Sequence, residues 1–121
     1  MLLLVINGAG CRIGPEYSVA LDSPDPATRI QAIRDTADRR DASAVPLLVD
    51  RLEDEDEAVR FYAIQALRRI TEEDHGYRYY HPAARRGRAV ARWRHSLSNS
   101  DGATPSDTET EVQSTNSDRQ P

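Results

Sequence analysis

Hydrophobic residues recur at three- and four-residue steps in two neighbouring segments of the chain, residues 45–52 and 59–70. This spacing puts the side chains on one face of an α-helix. The first stripe consists of Val45, Leu48, Val49 and Leu52, and the second of Val59, Tyr62, Ala63, Ala66, Leu67 and Ile70. The second segment also carries Phe61 and Ile64 off the main line. A helix that is apolar over so wide an arc needs neighbours on more than one side, so the pattern predicts packed helices.

Five consecutive acidic residues, at positions 53–57, separate the two stripes. Carboxylates favour a helix N-terminus, where free N–H groups and the helix dipole carry partial positive charge. We therefore expect Asp54 or Asp56 to cap the second helix, and the short connection makes the two helices antiparallel. The run lacks the turn glycine of a calcium loop. It is therefore interpreted as a solvated turn, and no metal site is predicted.

The same pattern occurs twice, at an offset of 31 residues. Residues 25–33, DPATRIQAI, align with residues 56–64, DEAVRFYAI, and share Asp, Ala, Arg, Ala and Ile at matching places. A period of this length suits one helix pair per repeat. The sequence thus predicts an all-α fold, a short α-solenoid of about two antiparallel helix pairs.

Over about residues 22–71 this pattern resembles the HEAT-repeat family. The residues that carry the resemblance are Pro46 early in a helix, Asp54 in the turn, and the pair Val59 and Arg60 that opens the next helix. The resemblance implies hydrogen-bonded ladders between stacked repeats, and hence structural roles for Asp54 and Arg60. The earlier unit has Ser23 in the place of Asp54 and Thr28 in that of Val59, as expected of a terminal repeat.

The first eleven residues, MLLLVINGAGC, form a short apolar run that ends in small residues before a cysteine. The run resembles the end of a bacterial lipoprotein signal, in which Cys11 carries the lipid and becomes the mature N-terminus. This implies a lipid anchor in a bacterial cell envelope, with residues 1–11 as a signal remnant. Residues 12–23, punctuated by Pro15 and Pro24, are predicted to be a linker. The alternative is a misassigned or ordinary N-terminus on a cytoplasmic protein.

The helical domain is predicted to span residues 24–97. Asp25 is expected to cap its first helix, with Pro26 at the first position, and that helix extends to about Arg39. Gly76 is expected to end the helix that contains Ile70. A loop with three tyrosines follows, Tyr77, Tyr79 and Tyr80. We expect these rings to plug the open end of the stack, with a platform for ligand stacking as the alternative.

A last helix is predicted over residues 82–97, with Trp93 as the apolar anchor that seats it on the central pair. Its other face is basic and is predicted to bind a partner through Arg85, Arg86, Arg88, Arg92 and Arg94. Residues 98–121 are rich in Ser, Thr, Asp and Asn, which predicts a disordered tail. The five acidic residues of this tail are able to compete with outside partners for the arginine face.

The composition of the chain reduces the number of function classes that fit it. The net charge of −4 argues against general affinity for nucleic acid, and a single cysteine excludes an intrachain disulfide. The favoured hypothesis is a non-catalytic protein-interaction or scaffold module whose protein partner is unknown. Its open faces are expected to be sealed by the tyrosine loop, by self-association or by the partner. The alternative is binding of nucleic acid or an anionic surface through the basic last helix.

An enzyme is the third hypothesis. The three histidines, His75, His81 and His95, have no Cys or Asp partners at a motif spacing, and no common hydrolase motif occurs. HEAT-like repeats are also found in bilin lyases, but no residue pattern here points to a chromophore. The glycines at positions 8, 10 and 14 mimic a dinucleotide loop, but Pro15 follows where that loop needs a helix. We therefore predict no catalytic residues and no cofactor.

Overall fold

The computed structural model describes residues 15–101, and its regular secondary structure in this range consists of helices alone. The elements are α1 (Pro15–Leu21), α2 (Pro26–Asp38), a 3₁₀ turn (Ala42–Ala44), α3 (Val45–Arg51), α4 (Glu57–Thr71) and α5 (Ala83–Asp101). Helix α2 packs against α1 and α4, while α3 packs against α4 and α5. The predicted all-α fold, a short solenoid of stacked helix pairs, is confirmed.

Aspartates begin α2 and α4 because their side chains accept hydrogen bonds from free backbone N–H groups. Asp25 caps α2 and accepts from the N–H of Thr28 at 3.0 Å. Asp56 caps α4 and accepts from the N–H groups of Ala58 and Val59 at 2.8 and 3.1 Å. Of the two aspartates that the sequence offered as the cap of α4, Asp56 is the one used.

The apolar stripes meet in one core between the helices. The largest fully buried side chains include Trp93, Tyr77, Leu21, Ile33, Leu48, Leu52, Ile64, Leu67 and Val59. Burying an aliphatic or aromatic side chain of this size stabilises the fold by about 1.5–3 kcal/mol. Trp93 is only 2% exposed and holds α5 in place, in the anchoring position predicted for it. Ile70 is half-buried at the edge of the core.

The prediction of a linker over residues 12–23 is wrong, because residues 15–21 form α1 and pack on α2. Leu21, at its end, is 1% exposed. Pro15 and Leu21 stand 31 residues before Pro46 and Leu52, so α1 is the short helix of the first repeat. The proline that suggested a break is instead the first residue of a helix, where its missing N–H costs nothing.

Helix α4 ends earlier than predicted. Glu72, and not Gly76, takes the left-handed conformation at its end, with φ of 65°. The hydroxyl of Thr71 donates to the carbonyl of Leu67 at 2.8 Å and accepts from the N–H of Glu73 at 3.1 Å. These side-chain bonds replace the continuing helical ones and end the helix. Gly76, with φ of 76°, lies further along in the loop.

Helix α5 runs four residues beyond its predicted end, into the segment assigned to the tail. The hydroxyl of Ser98 donates to the carbonyl of His95 at 2.9 Å, and that of Ser100 donates to Ser96 at 3.1 Å. These bonds stay within the helix, so the two hydroxyl groups do not draw backbone groups into non-helical hydrogen bonds. The remaining tail, residues 102–121, and the N-terminal segment with Cys11 lie outside the described residues.

The outward face of the first repeat is polar where the second repeat is apolar. At positions 31 residues apart, Thr28, Gln31, Asp35 and Arg39 stand in the places of Val59, Tyr62, Ala66 and Ile70. Val59 is fully buried whereas Thr28 is exposed. The first repeat therefore has the polar outer surface of a terminal repeat.

Two of the three tyrosines of the loop after α4 seal the other end of the stack. Tyr77 is fully buried, and its hydroxyl donates to the carbonyl of Leu52 at 2.5 Å. Burial raises the pKa of Tyr77 to about 12. Tyr79 packs edge-to-face on Phe61, with ring centroids 5.1 Å apart. Tyr80 is 62% exposed and does not take part in the seal.

We expect Tyr77→Phe to lower the free energy of unfolding by about 1–2 kcal/mol, because the buried carbonyl of Leu52 loses its donor. Urea unfolding followed by circular dichroism measures the change. Tyr80→Phe is the matched control, and it is expected to stay within about 0.5 kcal/mol of the parent. Equal effects at the two positions would show that the hydrogen bond from Tyr77 to Leu52 does not stabilise the fold.

Candidate functional site

A buried ion pair joins the two repeats. Asp54, in the turn between α3 and α4, has a side chain only 4% exposed. Arg29 of α2 meets it with Nε 3.0 Å from Oδ2 and with Nη2 3.0 Å from Oδ1. Only the contact from Nη2 meets hydrogen-bond geometry, and Nε lies within ion-pair distance without forming a hydrogen bond. The pair is therefore held by one charge-assisted hydrogen bond and by the close approach of opposite charges. Arg51 lies alongside, with Nη1 3.5 Å from the Oδ2 atom of Asp54.

Arg29 and Arg60 occupy the same place in successive repeats and act in the same way. Arg29 donates to the carbonyl of Ser23 at 2.6 Å, and Arg60 donates to the carbonyl of Asp54 at 2.8 Å. The serine in the first repeat therefore does not weaken this contact, because the acceptor is a backbone oxygen. Beyond its own repeat, Arg60 donates from Nε to the carbonyl of Tyr79 at 3.2 Å. The tyrosine loop thus takes the place that the acidic turn holds for Arg29.

The other two residues of the resemblance lie close to this network. Pro46 is the second residue of α3 and is exposed, and Val59 is fully buried at the start of α4. Pro46 begins a helix, Val59 fills the core, and Asp54 and Arg60 connect turns. All four therefore shape the stack.

The basic face predicted on α5 is divided in the structure. Arg94 donates from Nη2 to Asp50 at 3.1 Å and to Glu53 at 2.9 Å, which ties α5 to the end of α3. Arg92 donates to the carbonyl of His75 at 2.9 Å, and Arg86 donates to the carbonyl of His81. These three arginines hold α5 against the rest of the fold, and their binding of a partner stays a prediction.

Arg85 and Arg88 are the members of the basic face that remain available. Both are exposed, and neither side chain forms a hydrogen bond or ion pair with residues in the described range 15–101. The positive charge of Arg85 affects a neighbouring histidine. The pKa of His81 is lowered by the loss of hydration and by the charges of Arg85 and Arg78.

A second surface, not foreseen from the sequence, is a groove between α2 and α4. Its lining consists of Ile33, Arg34, Ala37 and Asp38 from α2, and of Tyr62, Gln65, Ala66, Arg68 and Arg69 from α4. Arg34 and Gln65 are 31 residues apart, and both are exposed. The signal that could have located the groove is therefore the repeat itself, since equivalent positions of stacked repeats line one surface.

The charges around the groove are unequally engaged. Arg68 contacts Asp74 at 3.0 Å, and this carboxylate also accepts from Arg78 at 2.9 Å. The pKa of Asp74 is lowered to about 2, first by the backbone N–H of Gly76 and then by these two arginines. Arg69 lies 3.6 Å from Asp38, with both side chains exposed. The side chain of Arg34 forms no hydrogen bond and no ion pair with the described part of the chain.

The histidines do not converge on a single site. His75 and His95 line one shallow depression beside α5, and His81 is absent from that lining. The Nε2 atom of His75 lies 2.9 Å from a carboxylate oxygen of Glu73, and its ring packs edge-on against Trp93. Within residues 15–101, no three His, Cys, Asp or Glu side chains are grouped so that they could hold a metal ion. None of the helices in this range combines the length and the apolar character that a membrane span needs.

Residues 17–76 match the family model for HEAT repeats. This stretch begins within α1 and ends in the loop after α4, so it covers nearly all of the two helix pairs and includes the ion pair between them. No curated protein and no solved structure matches the chain. The family match confirms the resemblance inferred from the sequence.

We expect Asp54→Asn to lower the free energy of unfolding by about 3 kcal/mol, because it leaves the buried guanidinium of Arg29 without a counter-charge. Chemical unfolding measures the loss. Glu55→Gln, which removes an equal charge at the exposed neighbouring position, is the control and should change stability by no more than about 0.5 kcal/mol. A double-mutant cycle with Arg29→Met should show strong coupling, and additive losses would contradict the contact.

Proposed function

We propose, from the premise that the chain belongs to the HEAT-repeat family, that it is a non-catalytic module that binds another protein through the groove between α2 and α4. Proteins of this helical repeat type commonly serve in protein interaction. The observation that supports the proposal most directly is the lining of the groove. It combines an apolar floor with an aromatic ring and a rim of arginines on two helices held at fixed spacing by the repeat.

The lining has the composition of a protein interface. Ile33 and Ala66 are buried between the helices, and Tyr62 is half-buried against Phe61, with ring centroids 5.3 Å apart. Tyrosine and arginine are enriched where proteins bind one another, because each offers a large apolar surface together with hydrogen-bond donors. A helix or extended segment of a partner would therefore cover the exposed part of the Tyr62 ring and place polar groups against the arginines at the rim.

The charges at the rim favour an acidic partner segment. Arg34 has no counter-ion in the described range, and Arg69 is held only by an exposed aspartate, Asp38, at 3.6 Å. An exposed pair of this kind stabilises the fold by less than about 1 kcal/mol. A carboxylate on the partner can therefore replace Asp38 at small cost and also pair with Arg34. Nucleic acid is a weaker fit, since the net charge is −4 and three α5 arginines are engaged within the fold.

We expect a photo-crosslinking residue at Gln65, in the groove, to form an adduct in cells with an acidic segment of a second protein. The same residue at Glu55, on the turn, is the control and should not form this adduct. Mass spectrometry identifies the linked segment, which is then synthesised as a peptide for binding measurements.

The peptide should bind about tenfold more weakly to Arg34→Glu, a loss of about 1.4 kcal/mol. Arg40→Glu, the same charge change at an exposed arginine outside the groove, should leave binding unchanged. Adducts that are equal at Gln65 and Glu55, or a linked segment without acidic residues, would refute the groove as the binding surface.

We propose further that Cys11 is lipid-modified and anchors the module to a bacterial envelope membrane. Support comes from the sequence MLLLVINGAGC alone, where small residues precede the cysteine. Expression from the native gene start in a bacterium should give a mature N-terminus at a diacylglyceryl Cys11, detected by mass spectrometry. The Cys11→Ser variant should no longer be found in the membrane fraction. An intact Met1 on the purified protein would contradict the anchor.

A further inference from the structure

The exposed arginines of α5 form a regular stripe. Arg85, Arg88 and Arg92 follow one another at steps of three and four residues, so they share one face of the helix. All three are exposed. Arg92 uses only its Nε for the carbonyl of His75, and Arg85 and Arg88 have no side-chain bond in the range 15–101. From Arg85 to Arg92 the stripe extends about 10 Å along the helix.

The chain that follows α5 carries a matching set of carboxylates. Asp107, Glu109 and Glu111 alternate with Thr108 and Thr110 in the sequence SDTETE. In an extended segment, alternate side chains point to the same side, at a rise of about 3.3 Å per residue. The three carboxylates would then share one side over about 13 Å, close to the length of the arginine stripe.

Chain length permits the two sets to meet. Helix α5 ends at Asp101, which lies about 24 Å along the helix axis from Arg85 at 1.5 Å per residue. Eight residues of extended chain from Asp101 to Glu109 span about 26 Å, and two more reach Glu111. Gly102 is the next residue in the sequence, and a glycine allows backbone conformations in which a chain can reverse. A segment that turns back there would lie antiparallel to α5.

We propose that residues 107–111 dock on the arginine stripe of α5 within the same molecule. The segment pairs its three carboxylates with Arg85 and Arg88, which have no side-chain bond in the range 15–101, and with the terminal nitrogens of Arg92, whose Nε alone is engaged. Contacts of this kind are exposed and individually weak, so they form and break readily and depend on salt. The tail therefore acts as a tethered competitor that admits only more strongly acidic ligands to α5.

The test uses the full chain with Cys11→Ser and a nitroxide spin label on Thr110→Cys. At roughly 20 mM NaCl the label should broaden the amide signals of residues 85–92, and the broadening should largely vanish at roughly 0.5 M NaCl. Arg85→Gln with Arg88→Gln should remove it. Arg34→Gln with Arg40→Gln, which removes the same charge elsewhere on the surface, should leave it intact. The amide spectrum itself reports whether each variant is folded.

A second variant changes only the tail. Asp107→Asn, Glu109→Gln and Glu111→Gln together should abolish the broadening while every residue of α5 is retained. Broadening confined to the last turn of α5, or insensitive to salt and to these substitutions, would overturn the proposal. So would broadening of isotope-labelled chains by spin-labelled ones in a mixture, since that outcome identifies a second copy as the occupant. None of these outcomes depends on the groove between α2 and α4.

Discussion

The pair formed by Arg29 and Asp54 is the constraint on which the stack depends. Two charges buried to this extent are costly to desolvate, and good geometry is needed to offset that cost. The carboxylate also accepts from the backbone N–H of Asp56 at 3.0 Å, and Asp56 in turn begins α4. One side chain therefore connects the first repeat, the turn of the second repeat and the start of its long helix. The spacing of α2 and α4, and with it the groove between them, follows from this arrangement.

Local chemistry explains which parts of the fold were accessible from the sequence. The stripes around Leu48 and Leu67 and the caps at Asp25 and Asp56 depend on short-range periodicity and on hydrogen bonds within three residues. Helix α1 escaped prediction because it is short and its apolar pattern is poor. Leu21 is buried, whereas Val19 is 71% exposed. Only the 31-residue period, extended backwards to Pro15, would have revealed it.

The division of the arginines could not be predicted for a different reason. Arg94 finds its acids 44 and 41 residues earlier in the chain, and Arg92 and Arg86 donate to backbone carbonyls that have no sequence signature. A basic helix face looks uniform in the sequence, although tertiary contacts engage some of its side chains and leave others free. The groove was missed in the same way, because Arg34 and Gln65 become neighbours only when the repeats stack.

The contacts that seal the stack also set an order in which it can form. The partner of Arg29, Asp54, comes 25 residues later in the chain. The partners of Tyr77 and Arg94, which are Leu52 and Asp50, come earlier in the chain. Apart from the first helix pair, each new segment thus meets a surface that earlier segments have made. These contacts span 25 to 44 residues, so each of them forms only after the helices between its partners exist. Chains generally fold from the N-terminal side during synthesis. The last helix, α5, then packs against helices that have already formed and completes the fold.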